Sequence, residues 1–117
     1  MRQIAALAAS LFLAAAGATH AVEGRYAVQG TNPDGSTYEG AAEIVAISEV
    51  TCEITWITGD TESTGVCMRY DNAFAAAYVL NEDIGLLIYE IMDDGSMRGT
   101  WTIAGQDGVG EEMLIPQ

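Results

Sequence analysis

The segment from Thr51 to Tyr70 constrains the fold more than any other part of the chain. It reads as two strands joined at Gly59-Asp60, and Cys52 and Cys67 lie at mirror positions about that turn. Facing residues of an antiparallel pair have Cα atoms about 4.5 or 5.5 Å apart, depending on whether the loop has four or two residues. Both distances suit a disulfide. The segment therefore predicts a hairpin bridged by Cys52 and Cys67.

The same register sets large side chains against small ones on one face of the hairpin. It places Trp56 opposite Ser63 and Ile54 opposite Gly65. A second tight turn, at Asp71-Asn72, pairs the next strand so that Tyr78 faces Gly65 from the other side. Alternating large and small inward residues are typical of a small closed barrel, whose interior tapers.

Short alternating segments, separated by Gly, Asn and Asp, continue along the chain with no helical periodicity after residue 21. This spacing predicts an all-β fold, and the simplest architecture is an eight-stranded antiparallel up-and-down barrel. A sandwich of two four-stranded sheets is the alternative, but it leaves exposed edges. The predicted strands are Arg25 to Gly30, Thr37 to Ile47, the two strands of the central hairpin, Ala73 to Leu80, Gly85 to Met92, Ser96 to Ala104 and Val109 to Leu114.

The first 21 residues have the pattern of an export signal. A positive start at Arg2 is followed by an apolar Ala/Leu run and by small residues, which suits cleavage after Ala18 or Ala21. The apolar run is too short to span a bilayer, so we expect no stable membrane insertion. The prediction is a signal peptide over 1–21 and one barrel domain over 22–117, in a periplasmic or secreted protein, where a disulfide persists.

The balance of charged residues excludes several classes of partner and of catalytic site. The chain has no lysine, and its three arginines after residue 21 stand against 17 acidic residues. Such a surface repels phosphate backbones, so nucleic acid is not an expected partner. If cleavage follows Ala21, no histidine remains, and the usual nucleophile–base pairs and imidazole metal sites cannot be built. We therefore expect a binding protein without enzymatic activity, cofactor or metal.

The inward positions carry the candidate ligand-binding residues. Eight strands enclose an interior just wide enough for side chains, so aromatic residues there either fill the core or line a pocket at one end. Both alternatives are open from the sequence. The candidate ligand-binding residues are Tyr38, Trp56, Tyr78, Tyr89, Trp101 and Glu112.

The last strand must turn one carboxylate inward. Its phase leaves two alternatives, because either Glu111 or Glu112 faces the interior. A buried carboxylate needs a partner. We expect the inward glutamate either to form an ion pair with Arg25 or Arg69 near a barrel end, or to orient a ligand under an aromatic-lined mouth of the barrel.

One part of the predicted outer surface is apolar. We define the outer strip as the outward residues of three neighbouring strands, and we expect it to be an interface for self-association. Its members are Val66, Met68, Ala75, Ala77, Val79, Leu86 and Ile88.

Several motifs together resemble those of small exported bacterial proteins labelled fibronectin-binding, whose architecture is similar to avidin-like or lipocalin-like barrels. The Gly99-x-Trp101 motif also resembles one on the first strand of lipocalins and avidins, although here it lies near the end of the chain. The resemblance implies protein binding at the cell exterior. The motifs are Tyr26-x-Val28-x-Gly30, Asn32-Pro33-Asp34-Gly35-Ser36-x-Tyr38-x-Gly40, Ile54-x-Trp56, Gly99-Thr100-Trp101 and Gly110-Glu111-Glu112.

These features predict an exported, non-catalytic binding protein. The first hypothesis is binding of an extracellular or periplasmic protein, as an adhesin or inhibitor would. The alternative is a carrier of small hydrophobic ligands that uses the aromatic-lined mouth of the barrel.

Overall fold

Residues 22–117 are described by a computed structural model, in which eight strands form one closed antiparallel barrel. Each strand pairs with its sequence neighbours, and β8 closes the barrel on β1. This closure confirms the predicted barrel and excludes the sandwich. The predicted signal peptide over 1–21 lies outside the described residues. The strands are β1 Gly24–Thr31, β2 Thr37–Ala46, β3 Thr51–Thr58, β4 Thr61–Tyr70, β5 Ala73–Leu80, β6 Asp83–Ile91, β7 Met97–Ile103 and β8 Gly110–Pro116.

The central hairpin has the predicted register. Cys52 pairs with Cys67 across β3 and β4, with their Cα atoms 5.0 Å apart, and the two form a disulfide. The loop has two residues, of which Gly59 takes the left-handed conformation with φ of 64°. β8 differs from prediction, because it extends to Pro116 through pairing with Tyr26 of β1. Within residues 22–117, no helix is long and apolar enough to cross a membrane.

The barrel has two different ends. The open end carries the β1–β2, β3–β4, β5–β6 and β7–β8 hairpins, and the closed end carries the other three connections. At the closed end the Tyr26 hydroxyl donates a 2.7 Å hydrogen bond to the Val22 carbonyl, and the Phe74 and Tyr89 rings stack 5.7 Å apart. The interior there is filled by the most deeply buried side chains, Phe74, Ile44, Ile54, Met97, Leu114 and Val28.

Toward the open end, each of the four hairpins places an inward aromatic residue directly opposite a glycine or serine. At the three glycines, an added Cβ would overlap the ring of the opposing residue, so each ring lies across the neighbouring strand. Because the rings lie along the barrel wall, they do not fill its centre. The pairs are Tyr38 with Gly30, Trp56 with Ser63, Tyr78 with Gly85, and Trp101 with Gly110.

The outer strip faces outward, as the register predicts. Val66 is 61% exposed and Ile88 is 59% exposed, and only Ala77 among the members is partly covered. β6 has the expected phase, because Leu87 and Tyr89 are buried while Leu86 and Ile88 are not. The barrel therefore presents apolar side chains on β4, β5 and β6.

The close packing at Gly65 can be tested by adding one methyl group. A Cβ there would lie 2.7 Å from the Tyr78 Cβ and would overlap the Ala77 carbonyl oxygen. We expect Gly65→Ala to lower the free energy of unfolding by about 1–3 kcal/mol, because this wall cannot give way. Ser63→Ala, on the same face of β4, is the control and should change it by about 0.5 kcal/mol or less. Urea unfolding followed by tryptophan fluorescence measures both, and equal stabilities would contradict the prediction.

Candidate functional site

The structure turns Glu112 inward and Glu111 outward, which decides the phase that the sequence left open. Glu112 is only 9% exposed, and it shares its face of β8 with buried Gly110 and Leu114. Pairing with β7 enforces this phase, because Gly110 lies opposite Trp101 and Leu114 lies opposite buried Met97. The carboxylate is therefore held inside the barrel.

Three donors from three other strands surround the Glu112 carboxylate. The Tyr38 hydroxyl donates to Oε2 at 2.7 Å, and the Trp56 indole Nε1 donates to Oε1 at 3.2 Å. The Tyr89 hydroxyl donates a hydrogen bond to Oε1. An ionised carboxylate only accepts hydrogen bonds, so it matches a set of three donors.

The predicted ion pair between Glu112 and an arginine is wrong. Arg25 lies on the outside of the barrel, 3.8 Å from Glu43, with most of its side chain exposed. Arg69 lies near the closed end and donates from Nη2 to the Asp71 carbonyl at 2.9 Å. Arg25 keeps its charged head in water, and Arg69 is engaged at the closed end, whereas tyrosine and tryptophan donors can be buried beside Glu112 at lower desolvation cost than an arginine.

Burial decides the direction of the pKa shifts in this cluster. Desolvation raises the pKa of Glu112 above its ordinary value of 4.5, and the hydrogen bonds from Tyr89, Tyr38 and Trp56 oppose that rise. Desolvation, and then the nearby Glu112 charge, raise the pKa values of Tyr38, Tyr78 and Tyr89, so all three phenols stay protonated.

A cavity of about 260 Å³ lies above this carboxylate in the open half of the barrel. Five of the six predicted ligand-binding residues line it. The sixth, Tyr89, lies behind Glu112 and supports it from below. The register of the central hairpin predicts that Ser63 faces inward. Asn32 reaches the cavity from the β1–β2 turn, where the sequence pattern does not indicate which side chains face inward. The lining residues are Tyr38, Trp56, Tyr78, Trp101 and Glu112, together with Asn32, Thr58, Thr61, Ser63, Leu80 and Leu87.

The aromatic rings form the walls of the cavity in two pairs. Trp56 and Tyr78 lie with centroids 5.0 Å apart, and Tyr38 and Trp101 meet edge to face at 6.3 Å. The Trp101 Nε1 atom is buried and has no acceptor in hydrogen-bond geometry within the described chain, although it lies near enough to Tyr38 to oppose the rise in that residue's pKa. A buried N–H without an acceptor is costly, so the cavity wall offers an unused donor.

Several depressions larger than this cavity lie on the outer surface, and two of them are the most extensive. One, of about 1010 Å³, crosses β6, β7, β8, β1 and β2 and is lined mainly by outward polar residues, among them Glu39, Arg98 and Glu111. The other, of about 460 Å³, lies over the disulfide and includes Val66 and Met68 of the outer strip. Neither is enclosed by aromatic rings, so the interior cavity is the better candidate site. Among residues 22–117, no three His, Cys, Asp or Glu side chains are grouped so as to hold a metal ion.

Comparison with solved structures finds the same barrel in designed proteins. A redesigned β-barrel matches with a TM-score of 0.72 at 16% identity, covering 85% of this chain and 94% of that one. A redesigned barrel called mFAP1, bound to DFHBI, matches with a TM-score of 0.68 at 16% identity, covering 82% and 96%. A variant of the fluorescent protein UnaG matches with a TM-score of 0.55 at 10% identity, covering 84% and 97%. At these identities the likeness establishes the fold alone.

No family model matches the chain, and no curated protein is significantly similar to it. None of the structures named above is described as fibronectin-binding, so that resemblance rests on the sequence motifs. The fold and the cavity together define the class: a closed eight-stranded antiparallel β-barrel with an aromatic-walled interior cavity over a buried carboxylate.

The buried carboxylate predicts a specific pH dependence of stability. Because the pKa of Glu112 is raised in the folded state, the folded protein binds its proton more tightly than the unfolded chain does. The contribution of Glu112 to the free energy of unfolding is therefore largest below about pH 4.5 and falls as the pH rises through the folded-state pKa. Glu112→Gln removes this titration, because an amide does not ionise in this pH range. It also preserves the hydrogen bonds, since the amide oxygen can accept from Trp56 and Tyr89 and the amide nitrogen can donate to Tyr38.

We expect wild type to lose stability relative to Glu112→Gln in urea unfolding over a pH range that begins at about 4.5 and extends upward through the raised folded-state pKa. Glu112→Leu should be less stable than the glutamine variant by about 3 kcal/mol at both ends of the range, because it leaves three buried donors without an acceptor. Parallel pH profiles of wild type and Glu112→Gln would contradict the raised pKa.

Proposed function

We propose that this protein binds a small organic molecule inside the open half of its barrel. The observation that carries the proposal is the cavity of about 260 Å³ between Trp56, Tyr78, Tyr38 and Trp101, with Glu112 at its floor. Mostly apolar walls with a few placed polar groups are typical of ligand sites, and the volume, just below the usual range of about 300–1,000 Å³, suits a ligand smaller than most drugs. The ligand has an apolar body that packs on the rings.

The unused donor of Trp101 supports one further property of the ligand. A hydrogen-bond acceptor placed at the Trp101 Nε1 would satisfy a buried N–H that has no acceptor in the described chain. We therefore propose that the ligand carries an oxygen or nitrogen acceptor that reaches this wall.

Similar barrels offer a supporting analogy. The structures that match this fold include a designed fluorescence-activating barrel and redesigned barrels bound to DFHBI. The redesigned barrels bound to DFHBI support the proposal, because they are small-molecule complexes of the same architecture. The proposed role is binding without a chemical step, because the chain after Ala21 has neither histidine nor lysine to serve Ser63 as a base.

The two tryptophans allow a direct test. In a sample labelled with the heavy nitrogen isotope, the indole N–H signals of the two tryptophans are followed by NMR spectroscopy while benzamide, acetophenone or phenol is added. We expect the Trp101 signal to move most, because its N–H gains an acceptor, whereas the Trp56 N–H already donates to Glu112. Ser63→Phe, which fills the cavity next to Trp56, should weaken binding by about tenfold or more.

Thr64→Phe is the matched control, because it adds the same ring one residue further along β4, on the exposed outer face. It should leave the affinity within about twofold of wild type. Circular dichroism of both variants verifies that they are folded. If none of the probes shifts either indole signal in wild type, the proposed function is wrong.

Protein binding is the second candidate function, and the outer strip is the observation that favours it. A closed barrel has no free strand edge, so a second polypeptide must bind a face rather than extend the sheet. The strip lacks charged side chains, and Met68 and Leu86 are each about half exposed. We propose that the partner is a second copy of the chain. When two uncharged strips contact each other, the acidic surfaces of the two copies are not brought together.

Self-association can be measured by sedimentation over a concentration series. We expect wild type to dimerise and Ile88→Glu to abolish the dimer, because it places a charge in the buried contact. Ile57→Glu is the control, since Ile57 is similarly exposed but lies on β3, outside the strip. A wild-type monomer at every concentration would reject this second function.

We also propose that the protein works outside the cytoplasm, in the periplasm or beyond. Two features support this location. Residues 1–21 have the sequence pattern of an export signal, and the Cys52–Cys67 disulfide is a bond that persists in oxidising compartments.

A further inference from the structure

We infer that the interior cavity selects a small organic cation, an alkylated ammonium whose methyl groups lie against the aromatic rings and whose charge faces Glu112. This inference rests on the proposed small-molecule function and names the chemical class of its ligand. It combines the distribution of charge over the barrel, the buried carboxylate and the arrangement of the rings.

The basic residues of the described chain are unevenly placed along the barrel axis, whereas carboxylates lie toward both ends. Arg25, Arg69 and Arg98 all lie on the strand segments nearest the closed end. At the open end, every hairpin carries at least one exposed carboxylate and no basic residue. These rim carboxylates are Asp34, Asp60, Glu62, Glu82, Asp83 and Asp107.

The rim therefore produces a negative potential around the entrance of the cavity. Hydrogen bonds from the Ser36 side chain and backbone lower the pKa of Asp34, so it stays charged well into the acidic range. Low-dielectric walls focus such a field into a cleft and raise the local concentration of cations while excluding anions. The rim carboxylates attract cations to the entrance but do not hold them, so a binding site also needs groups inside the cavity that contact the cation.

Glu112 supplies the charged group inside the cavity. It is 9% exposed and lines the cavity floor, and its hydrogen bonds come from neutral groups, Tyr38, Trp56 and Tyr89. These donors orient the carboxylate without neutralising it. A cation in the cavity would supply the opposite charge that burial otherwise denies this group.

The rings supply the other half of the site. Trp56, Tyr78, Tyr38 and Trp101 surround the same space from four hairpins, and the faces of tryptophan and tyrosine attract cations, including quaternary ammonium groups enclosed by several rings. A cage of this kind binds the charge through methyl groups and requires no hydrogen-bond acceptor.

The hydrogen-bonding state of the site favours an alkylated ammonium over a primary one. A primary ammonium has three N–H donors to satisfy, but the Glu112 oxygens already accept three hydrogen bonds. An alkylated head has no such requirement. The remaining unsatisfied group is a donor, the Trp101 N–H, which a hydroxyl or carbonyl oxygen on the ligand can satisfy.

Choline and 3,3-dimethylbutan-1-ol test the inference in the wild-type protein, because they have nearly the same shape and differ in charge. Affinities are measured by calorimetry and by the indole N–H signals. We expect choline to bind at least about tenfold more tightly than its neutral isostere and several-fold more tightly than ethanolamine, which is a primary ammonium.

Glu112→Gln and Glu111→Gln form a matched pair of variants, since they remove the same charge from adjacent residues on the inner and outer faces of β8. We expect Glu112→Gln to reduce the preference for choline over the isostere to about threefold or less, and Glu111→Gln to leave it within about twofold of wild type. The comparison of two ligands in wild type does not depend on the folding of either variant.

The outcomes separate this inference from the proposed function. Equal binding of choline and its isostere, or a choline preference that survives Glu112→Gln in a folded protein, would overturn the cation selectivity. Tighter binding of ethanolamine than choline would overturn the assignment to alkylated ammonium. If benzamide or acetophenone still binds in the cavity, the small-molecule function stands in both cases; if no probe binds, both proposals fail.

Discussion

The hydrogen bonds to Glu112 are the interaction on which the interior of this barrel depends. One carboxylate on β8 accepts from residues on β2, β3 and β6, so it joins β8 to three strands that are not its neighbours in the sheet. Burying a carboxylate is costly, and removing it would leave Tyr38, Tyr89 and Trp56 as buried donors without an acceptor. The cluster therefore separates a filled apolar half of the barrel from an open half with a polar floor.

The cavity exists because aromatic residues on the open-end hairpins lie opposite residues with little or no side chain. A ring such as Tyr78 can lie across the neighbouring strand only where that strand offers a glycine, here Gly85. An ordinary side chain at that position would push the ring toward the barrel axis, where eight strands leave little room. The same glycines that give the sheet its close packing thus also leave space for a ligand.

Closure of the barrel and its charge distribution have related consequences for binding. Closure removes the sheet edges, so partners can reach only the outer faces or the open end. The three described arginines lie toward the closed end, so no basic residue offsets the carboxylates around the open end, which makes the entrance of the cavity negative. An acidic composition alone would suggest only solubility, whereas its placement around a cavity with a buried carboxylate suggests a choice of ligand charge.

The sequence by itself determined the strand order, the Cys52–Cys67 register and most inward residues, because alternation has a period of two and tight turns set the pairing of adjacent strands. It also identified the aromatic residues of the cavity. It could not determine whether Glu111 or Glu112 faces inward, because both phases of β8 are locally acceptable. Only the tertiary structure decided this, through the pairing of β8 with β7 and β1. For the same reason the sequence suggested arginine partners for the carboxylate, whereas closure brought together Tyr38, Trp56 and Tyr89 from distant positions. Contacts across the barrel axis depend on its diameter and on how the rings lie, and those are properties of the assembled sheet.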